Sequence, residues 1–236
     1  MLSLILGKLE KGLIHYLEYL ELEKRQLFHI FICVIHSPCF QLNSDTMSSE
    51  VFAFLNSITP LSEKIKIRLN SILKARTFKK KEFILKEGEF CNNIYFIQQG
   101  LVRIFYNKDG LEWCSGILSE GGVCVSVHSF FDRKRSYEYI QAIEETVVYY
   151  LTYDELEVLY KDFLEYNIVG RKLITEYYVR SEERNYWLRK HTAKEKYELF
   201  TERFSDIIGR IPVKDIASYL GMEIETLSRL RRKNLT

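Results

Sequence analysis

Paired cysteines are missing from this sequence. Its five cysteines, Cys33, Cys39, Cys91, Cys114 and Cys124, are odd in number and irregularly spaced, and no C-x-x-C pair occurs. That spacing excludes a zinc ribbon or an ordinary iron–sulfur framework, and reduced thiols are the expected state. Long apolar runs are missing too. The longest, Leu27–Ile35, is interrupted by His29, whereas a membrane-spanning helix needs about 20 residues. A secretory leader is not evident: Lys8 and Lys11 follow Leu4–Leu6, with Glu10 among them. No membrane partner and a cytoplasmic location are therefore expected. Histidine is sparse: between His36 and His191 only His128 occurs. A cupin-type metal enzyme needs several His and a carboxylate, so that reading lacks ligands. No Ser/His/Asp or Cys/His set and no G-x-x-x-x-G-K loop has positional support. Neither an enzyme activity nor a cofactor is expected.

What is present is a substantial hydrophobic fraction, 47% of 236 residues. It suffices for at least one core and argues against a disordered or fibrous chain. Lys and Arg number 34 against 32 Asp and Glu, a formal net of +2. The distribution is more telling than the total. Residues 171–236 hold 15 Lys/Arg and 10 Asp/Glu, a local net of +5, while the first 170 residues carry a net of −3. A basic excess confined to the C-terminal third points to a polyanionic partner.

Residues 1–46 stand apart. Leu13–Leu27 has helical apolar spacing, but no cap or turn organises the segment. It is either a real extension or translated upstream sequence, with Met47 as the start. Ser48 or Ser49 can cap a helix beginning near Glu50. Glu50–Leu73 reads as two short helices broken at Thr59-Pro60. Ser62 can cap the second, and Leu61, Ile65, Ile67, Leu69 and Ile72 supply its apolar positions.

From Ala75 to Leu151 the pattern changes to short β-rich runs. They are Glu82–Lys86, Ile94–Gln98, Val102–Tyr106, Glu112–Leu118, Val123–Val127, Tyr137–Ile143 and Thr146–Leu151. Turn residues separate them at Glu87-Gly88, Gln99-Gly100, Asp109-Gly110, Gly121-Gly122 and Asp132-Arg133. This spacing predicts an antiparallel sandwich or barrel. After Thr152, which precedes Asp154 and Glu155 as a helix start, the strand signal ends. Residues 167–191 read as one long helix with apolar ends and a charged middle, Arg180–Arg184. No strict heptad seam is visible. Residues 194–208 read as a helix with Tyr197, Phe200, Phe204 and Ile207 on one face, ended by Gly209.

The last segment carries the sharpest signal. Pro212 suits a helix start, and Ile216, Ala217 and Leu220 give that helix an apolar face. Gly221 breaks it, and Leu227 and Leu230 are the buried side of the next helix. Two short helices across a tight Gly turn, with a small Ala at the crossing, form a helix-turn-helix pattern. Glu225 and Arg229 share one face, with Thr226, Ser228, Arg232 and Lys233 near it and Lys214 on the preceding helix. Arg can fork onto guanine, Glu can accept from cytosine, and Ser or Thr can reach bases or phosphates. An ordinary solvated C-terminal helix would also carry basic residues, which suit its dipole.

This arrangement resembles the CRP/FNR family of bacterial transcription regulators over most of residues 75–233. Leu220-Gly221 followed by Glu225-Thr226-Leu227-Ser228-Arg229 is similar to the family's turn and recognition helix. Its base-reading Glu and Arg fall on Glu225 and Arg229. Ile224 stands where some members have a further Arg, and with Ser228 it looks more like the FNR branch. Gly88-Glu89, Gly100 twelve residues on, and Asn93-Ile94-Tyr95-Phe96-Ile97 match the family's cyclic-nucleotide-binding jelly roll. Nucleotide-binding relatives carry Gly-Glu-Leu and then Arg-Ser; here Val125-Ser126-Val127-His128-Ser129-Phe130 lacks Gly-Glu, and Arg135-Ser136 comes one residue early.

The resemblance implies an α+β chain: an N-terminal antiparallel β jelly roll (double-stranded β-helix) with flanking helices, a long dimerisation helix and a C-terminal helix-turn-helix. The expected division is an extension at 1–46, a sensor at 47–165, a connecting helix at 166–191 and a DNA-binding domain at 192–236. The expected function is sequence-specific regulation of transcription by a homodimer on double-stranded DNA, in contact with RNA polymerase. An unknown small-molecule effector other than cyclic AMP would sit near Ser126, His128, Arg135 and Ser136. Arg133 and Lys134 extend that basic loop, which could attract an anion but reads more readily as solvated. The alternative is a ligand-binding or interaction module whose helix-turn-helix is vestigial.

Overall fold

The computed structural model describes residues 49–233. Expectations for residues 1–46, Met47 and Ser48, and for Cys33 and Cys39, lie outside the described residues. Helices α1 (Ser49–Ile58) and α2 (Glu63–Ile72) flank the break at Thr59-Pro60. Ser62 occupies the N-cap of α2, but its side chain makes no capping bond. Ile65, Leu69 and Ile72 are buried at helical spacing, whereas Ile67, expected among them, is 69% exposed. Position 67 lies half a turn from 65 and 69 on a helix, so it faces away from them.

Eight strands follow: β1 (Lys74–Phe78), β2 (Phe83–Leu85), β3 (Asn93–Gln99), β4 (Val102–Lys108), β5 (Leu111–Leu118), β6 (Val123–Cys124), β7 (Tyr139–Ala142) and β8 (Thr146–Thr152). They form two four-stranded sheets, ordered β1-β8-β3-β6 and β2-β7-β4-β5. Every pairing is antiparallel. This is the antiparallel sandwich the strand spacing predicts, in the jelly-roll form the family resemblance implies. Asp109 and Gly110 both have positive φ, 56° and 81°, the signature of the tight turn whose twist matches a β-hairpin. At Gly100, with φ 109°, a Cβ would lie 2.5 Å from Thr146 Oγ1 and 2.7 Å from the Glu145 carbonyl oxygen. Only glycine lets the β3–β4 corner approach β8 so closely.

One expected strand is corrected. The alternation at Val123–Val127 continues as strand only to Cys124, and Val127–Asp132 is a short helix, α3. Ser129 Oγ accepts from the Cys91 amide at 2.8 Å and donates to the Lys134 carbonyl at 2.6 Å. The first bond reaches 38 residues back along the chain and ties α3 to the segment just before β3.

Helix α4 (Tyr153–Asp162) opens on a capping box between Thr152 and Glu155, as the sequence implies. Helix α5 (Leu164–Lys190) is the long helix, and α6 (Ala193–Arg203) opens on a second box between Thr192 and Glu195. Helix α6 ends at Arg203, short of the expected Gly209. Phe204, Ile207 and Ile208 continue in turns but still pack against the buried cluster. Helices α7 (Val213–Leu220) and α8 (Ile224–Lys233) complete the chain. The main core joins the inner faces of both sheets to α1, α2, α4 and the first turns of α5. A second core joins Leu101, Cys114, Ile117 and Ile143 of the jelly roll to Tyr197, Phe200, Ile211, Ile216, Ala217, Tyr219, Leu220 and Leu227.

Candidate nucleic-acid interface and effector site

Helix α7 ends where Gly221 turns left-handed, φ 62°. Its amide bonds to the Ser218 carbonyl and that of Met222 to the Ala217 carbonyl, which closes the helix and redirects the chain. Ala217 is buried at the crossing and Leu227 is fully buried beneath α8. The opposite face of α8 is open: Glu225, Arg229, Arg231 and Arg232 are exposed, with Thr226 and Ser228 half-buried. The sequence reading brought all of these together except Arg231, which the exposed basic face adds. Lys233 ends α8, and its side chain lies outside the described residues. This arrangement offers an acid, two hydroxyls and several guanidinium groups along one helix face above an apolar base.

Lys214 is placed differently. It lies in the first turn of α7, and its Nζ donates to Glu112 Oε2 of β5 at 3.1 Å. Around it, α7 is joined to the jelly roll by a polar network the sequence reading missed. Arg103 of β4 is 6% exposed and Asp215 3%. Arg103 donates to Asp215 Oδ1 at 2.7 Å, to both Glu112 oxygens at 2.7 and 3.2 Å, and to Gln141 Oε1 at 2.7 Å. Ser218 Oγ accepts from the Cys114 amide at 2.8 Å and donates to the Glu112 carbonyl at 2.9 Å. Arg184 of α5 donates to the carbonyls of Cys114 and Tyr219, each at 3.1 Å. Arg210 pairs with Glu120 at 2.7 Å and with Glu144. The bond from Arg103 and the neighbouring Lys214 hold the Glu112 carboxyl below its ordinary range.

In the jelly roll, Ser126 and Ser136 are buried and bond to each other at 3.1 Å. His128 is half-buried in α3, with Nδ1 3.4 Å from Asp132 and its ring 5.1 Å from that of Tyr137. Arg135 lies elsewhere: Nη1 donates to the Gly88 carbonyl at 2.7 Å and the guanidinium lies over Phe90. Arg133 donates to Asn92 Oδ1 at 2.7 Å and lies over Tyr153, while Lys134 faces Asp132 at 3.8 Å. Glu138, unnoticed in the sequence, completes the serine cluster. Its carboxyl accepts from Ser126 at 3.0 Å and Ser115 at 3.3 Å. Burial pushes this carboxyl above its ordinary range, against the bonds from Ser126 and Ser115 and the nearby His128. Cys91, Cys114 and Cys124 are free and buried, and burial pushes the Cys114 thiol up to about 12. Among the described residues, no group of three or more His, Cys, Asp or Glu could hold a metal ion, and no helix is long and apolar enough to cross a membrane.

A jelly roll, a long helix and a helix-turn-helix follow one another along the described residues. Known proteins share this fold. Residues 75–163 match the cyclic nucleotide-binding domain family. FixK2 from Bradyrhizobium japonicum is 24% identical, with a TM-score of 0.58 over 69% of this chain and 84% of that one. The c-di-GMP-responsive global regulator CLP of Xanthomonas campestris is 13% identical, with a TM-score of 0.59 over 74% and 92% of the two chains. A CRP/FNR-family transcriptional regulator from Thermus thermophilus is 15% identical, with a TM-score of 0.56 over 69% and 86%. No curated protein matches the sequence. The chain thus carries a cyclic nucleotide-binding domain within the fold of the CRP/FNR transcription regulators.

Proposed function

We propose that this protein is a sequence-specific DNA-binding transcription regulator that acts as a homodimer and responds to a small molecule other than cyclic AMP. The observation that carries the reading is α8: Glu225 and Arg229 exposed one turn apart, over a fully buried Leu227. That is the composition a recognition helix needs in a major groove. In a two-fold dimer, the two recognition helices would enter successive major grooves about 34–36 Å apart and favour a palindromic site. Helix α5 supplies the pairing surface, because Ile174, Tyr177, Tyr178, Val179 and Tyr186 are exposed along it. Contact with RNA polymerase belongs to the same reading.

The serine cluster supports an effector other than cyclic AMP. A cyclic phosphate brought to Ser126 and Ser136 would meet the Glu138 carboxyl, while Arg135 is held at Gly88 and Phe90. A buried phosphate without a charge-assisted partner loses most of its binding. The deciding experiment selects bound duplexes from a random pool with purified protein, with and without small molecules from a cell extract. Enrichment of a palindromic site, bound with a steep salt dependence, is expected. Failure to bind any duplex at low salt would overturn the reading in favour of an interaction module with a vestigial helix-turn-helix. Micromolar cyclic AMP binding by calorimetry would overturn the effector reading alone.

A further inference from the structure

We infer that Glu112 of the jelly roll is an internal competitor of DNA phosphate, occupying Lys214 when the helix-turn-helix is docked on the sensor. The inference rests on the DNA-binding reading above. In a helix-turn-helix the first helix crosses the nucleic-acid backbone, and cations in its first turn meet phosphates. Here that helix is α7, and the only Lys or Arg in it is Lys214. Its ammonium is already paired, 3.1 Å from a Glu112 oxygen. The same carboxylate is held by Arg103 through both of its oxygens, at 2.7 and 3.2 Å. It is therefore fixed in place by a buried cation on its own sheet. Asp215, the next residue of α7, is bonded to the same Arg103 nitrogen at 2.7 Å, and Ser218 bonds to the β5 backbone at Cys114 and Glu112. The clamp thus grips α7 at positions 214, 215 and 218, within its first two turns.

The recognition face is not covered by this docking, since Glu225, Arg229 and Arg232 remain exposed. What the docking withdraws is the phosphate contact of the first helix. The device lowers affinity for every sequence alike and leaves base preference untouched. An event in the sensor that shifts β4 or β5 would release Lys214 to the duplex, because Arg103 and Glu112 lie on those strands.

Two measurements on the full chain test this. In the first, binding to a mixed-sequence duplex is titrated at several salt concentrations for the wild type, Glu112→Gln, Lys214→Ala and the double variant. Glu112→Gln is expected to bind about two- to fivefold more tightly, the scale of one exposed ion pair. Its salt slope should steepen by about 1, one extra phosphate neutralised. In the Lys214→Ala background the same substitution should change neither quantity. Unchanged or weaker binding by a folded Glu112→Gln, or an equal gain in both backgrounds, would overturn the inference. The second measurement needs no variant and so stands even if Glu112→Gln misfolds. Zero-length carbodiimide coupling of the wild type should join Lys214 to Glu112, as read by mass spectrometry, and bound duplex should suppress the product. Absence of the product in free protein, or persistence in the complex, also refutes it. Failure of all forms to bind DNA would instead refute the DNA-binding reading, which the coupling in free protein does not depend on.

Discussion

At Glu138 a carboxyl sits among serine hydroxyls with the half-buried His128 nearby, and burial raises its proton affinity above the ordinary value of 4.5. The sign of its effect on stability follows from linkage. Below pH 4.5 the group is protonated in folded and unfolded chains, and it contributes nothing. As pH rises from there through the folded value, the unfolded chain loses its proton first, and folding becomes less favourable. Above the folded value the penalty is constant. Glu138→Gln keeps the shape and can still bond to Ser115 and Ser126. It should raise the melting temperature at pH 7, and the gain should vanish on acidification below pH 4.5. A gain that persists at low pH would show that charge is not the cause. A different prediction belongs to Arg229, exposed one turn after Glu225. Arg229→Ala should cost about 1–3 kcal/mol at the selected site and relax preference at one base pair. Arg232→Ala should weaken cognate and scrambled duplexes alike, with a smaller salt slope. Equal loss on both duplexes for Arg229→Ala would rule it out as a base reader.

At the scale of elements, legibility in the sequence followed how local the determinants are. The β4–β5 hairpin was readable because Asp109-Gly110 is a turn in itself, with both φ angles positive. The start of α4 was readable because Thr152 and Glu155 cap each other within four residues. Helix α3 was not, since its Val-Cys-Val-Ser-Val approach alternates like a strand and its anchors are 38 residues away at Cys91. The end of α6 was misplaced because Phe204 and Ile207 keep helical spacing while packing from turns. The exposed polar face of α8 could be read from periodicity, but the partners of Arg103, Glu112 and Glu138 could not. Those partners lie up to 112 residues distant. Helix α5 is intermediate: its length was evident and the division of its residues between core and solvent was not. It is buried at Tyr166, Val169 and Gly170, where Tyr160 packs so closely that a Cβ on Gly170 would lie 2.3 Å from its hydroxyl. Beyond that turn Leu173 still packs on the core, but Ile174, Tyr177, Tyr178, Val179 and Tyr186 are open to solvent. Ile174, 51% exposed, would be covered in a dimer and not in a monomer. Ile174→Glu should therefore leave the fold intact and shift sedimentation at micromolar concentration from dimer to monomer. An unchanged sedimentation coefficient would place the pairing surface elsewhere.

Across the whole molecule, the helix-turn-helix shares its hydrophobic core with the jelly roll. Leu101, Cys114, Ile117 and Ile143 pack with residues of α6, α7 and α8. Shared burial makes unfolding cooperative, so residues 49–233 should melt in one calorimetric transition. The polar network crossing that junction has a different energetic character. A buried ion pair adds little net stability over an apolar replacement of both partners, but removal of one partner leaves the other charge buried. Asp215 is 3% exposed, and Arg103 is its cationic partner in the network. Arg103→Met should therefore cost about 3 kcal/mol or more, concentrated at the junction. The jelly roll keeps its main core, which lies on the other side of the sheets and includes neither Arg103 nor Asp215. The expected result is a split: one transition near the wild-type temperature for the sensor, and a second, lower one for α6 to α8. A single transition at an unchanged temperature would show that the shared apolar core alone holds the two parts together. In that case Arg103 and Asp215 would set only the register of α7 against β5, and the position of Lys214 relative to Glu112 would be their whole contribution.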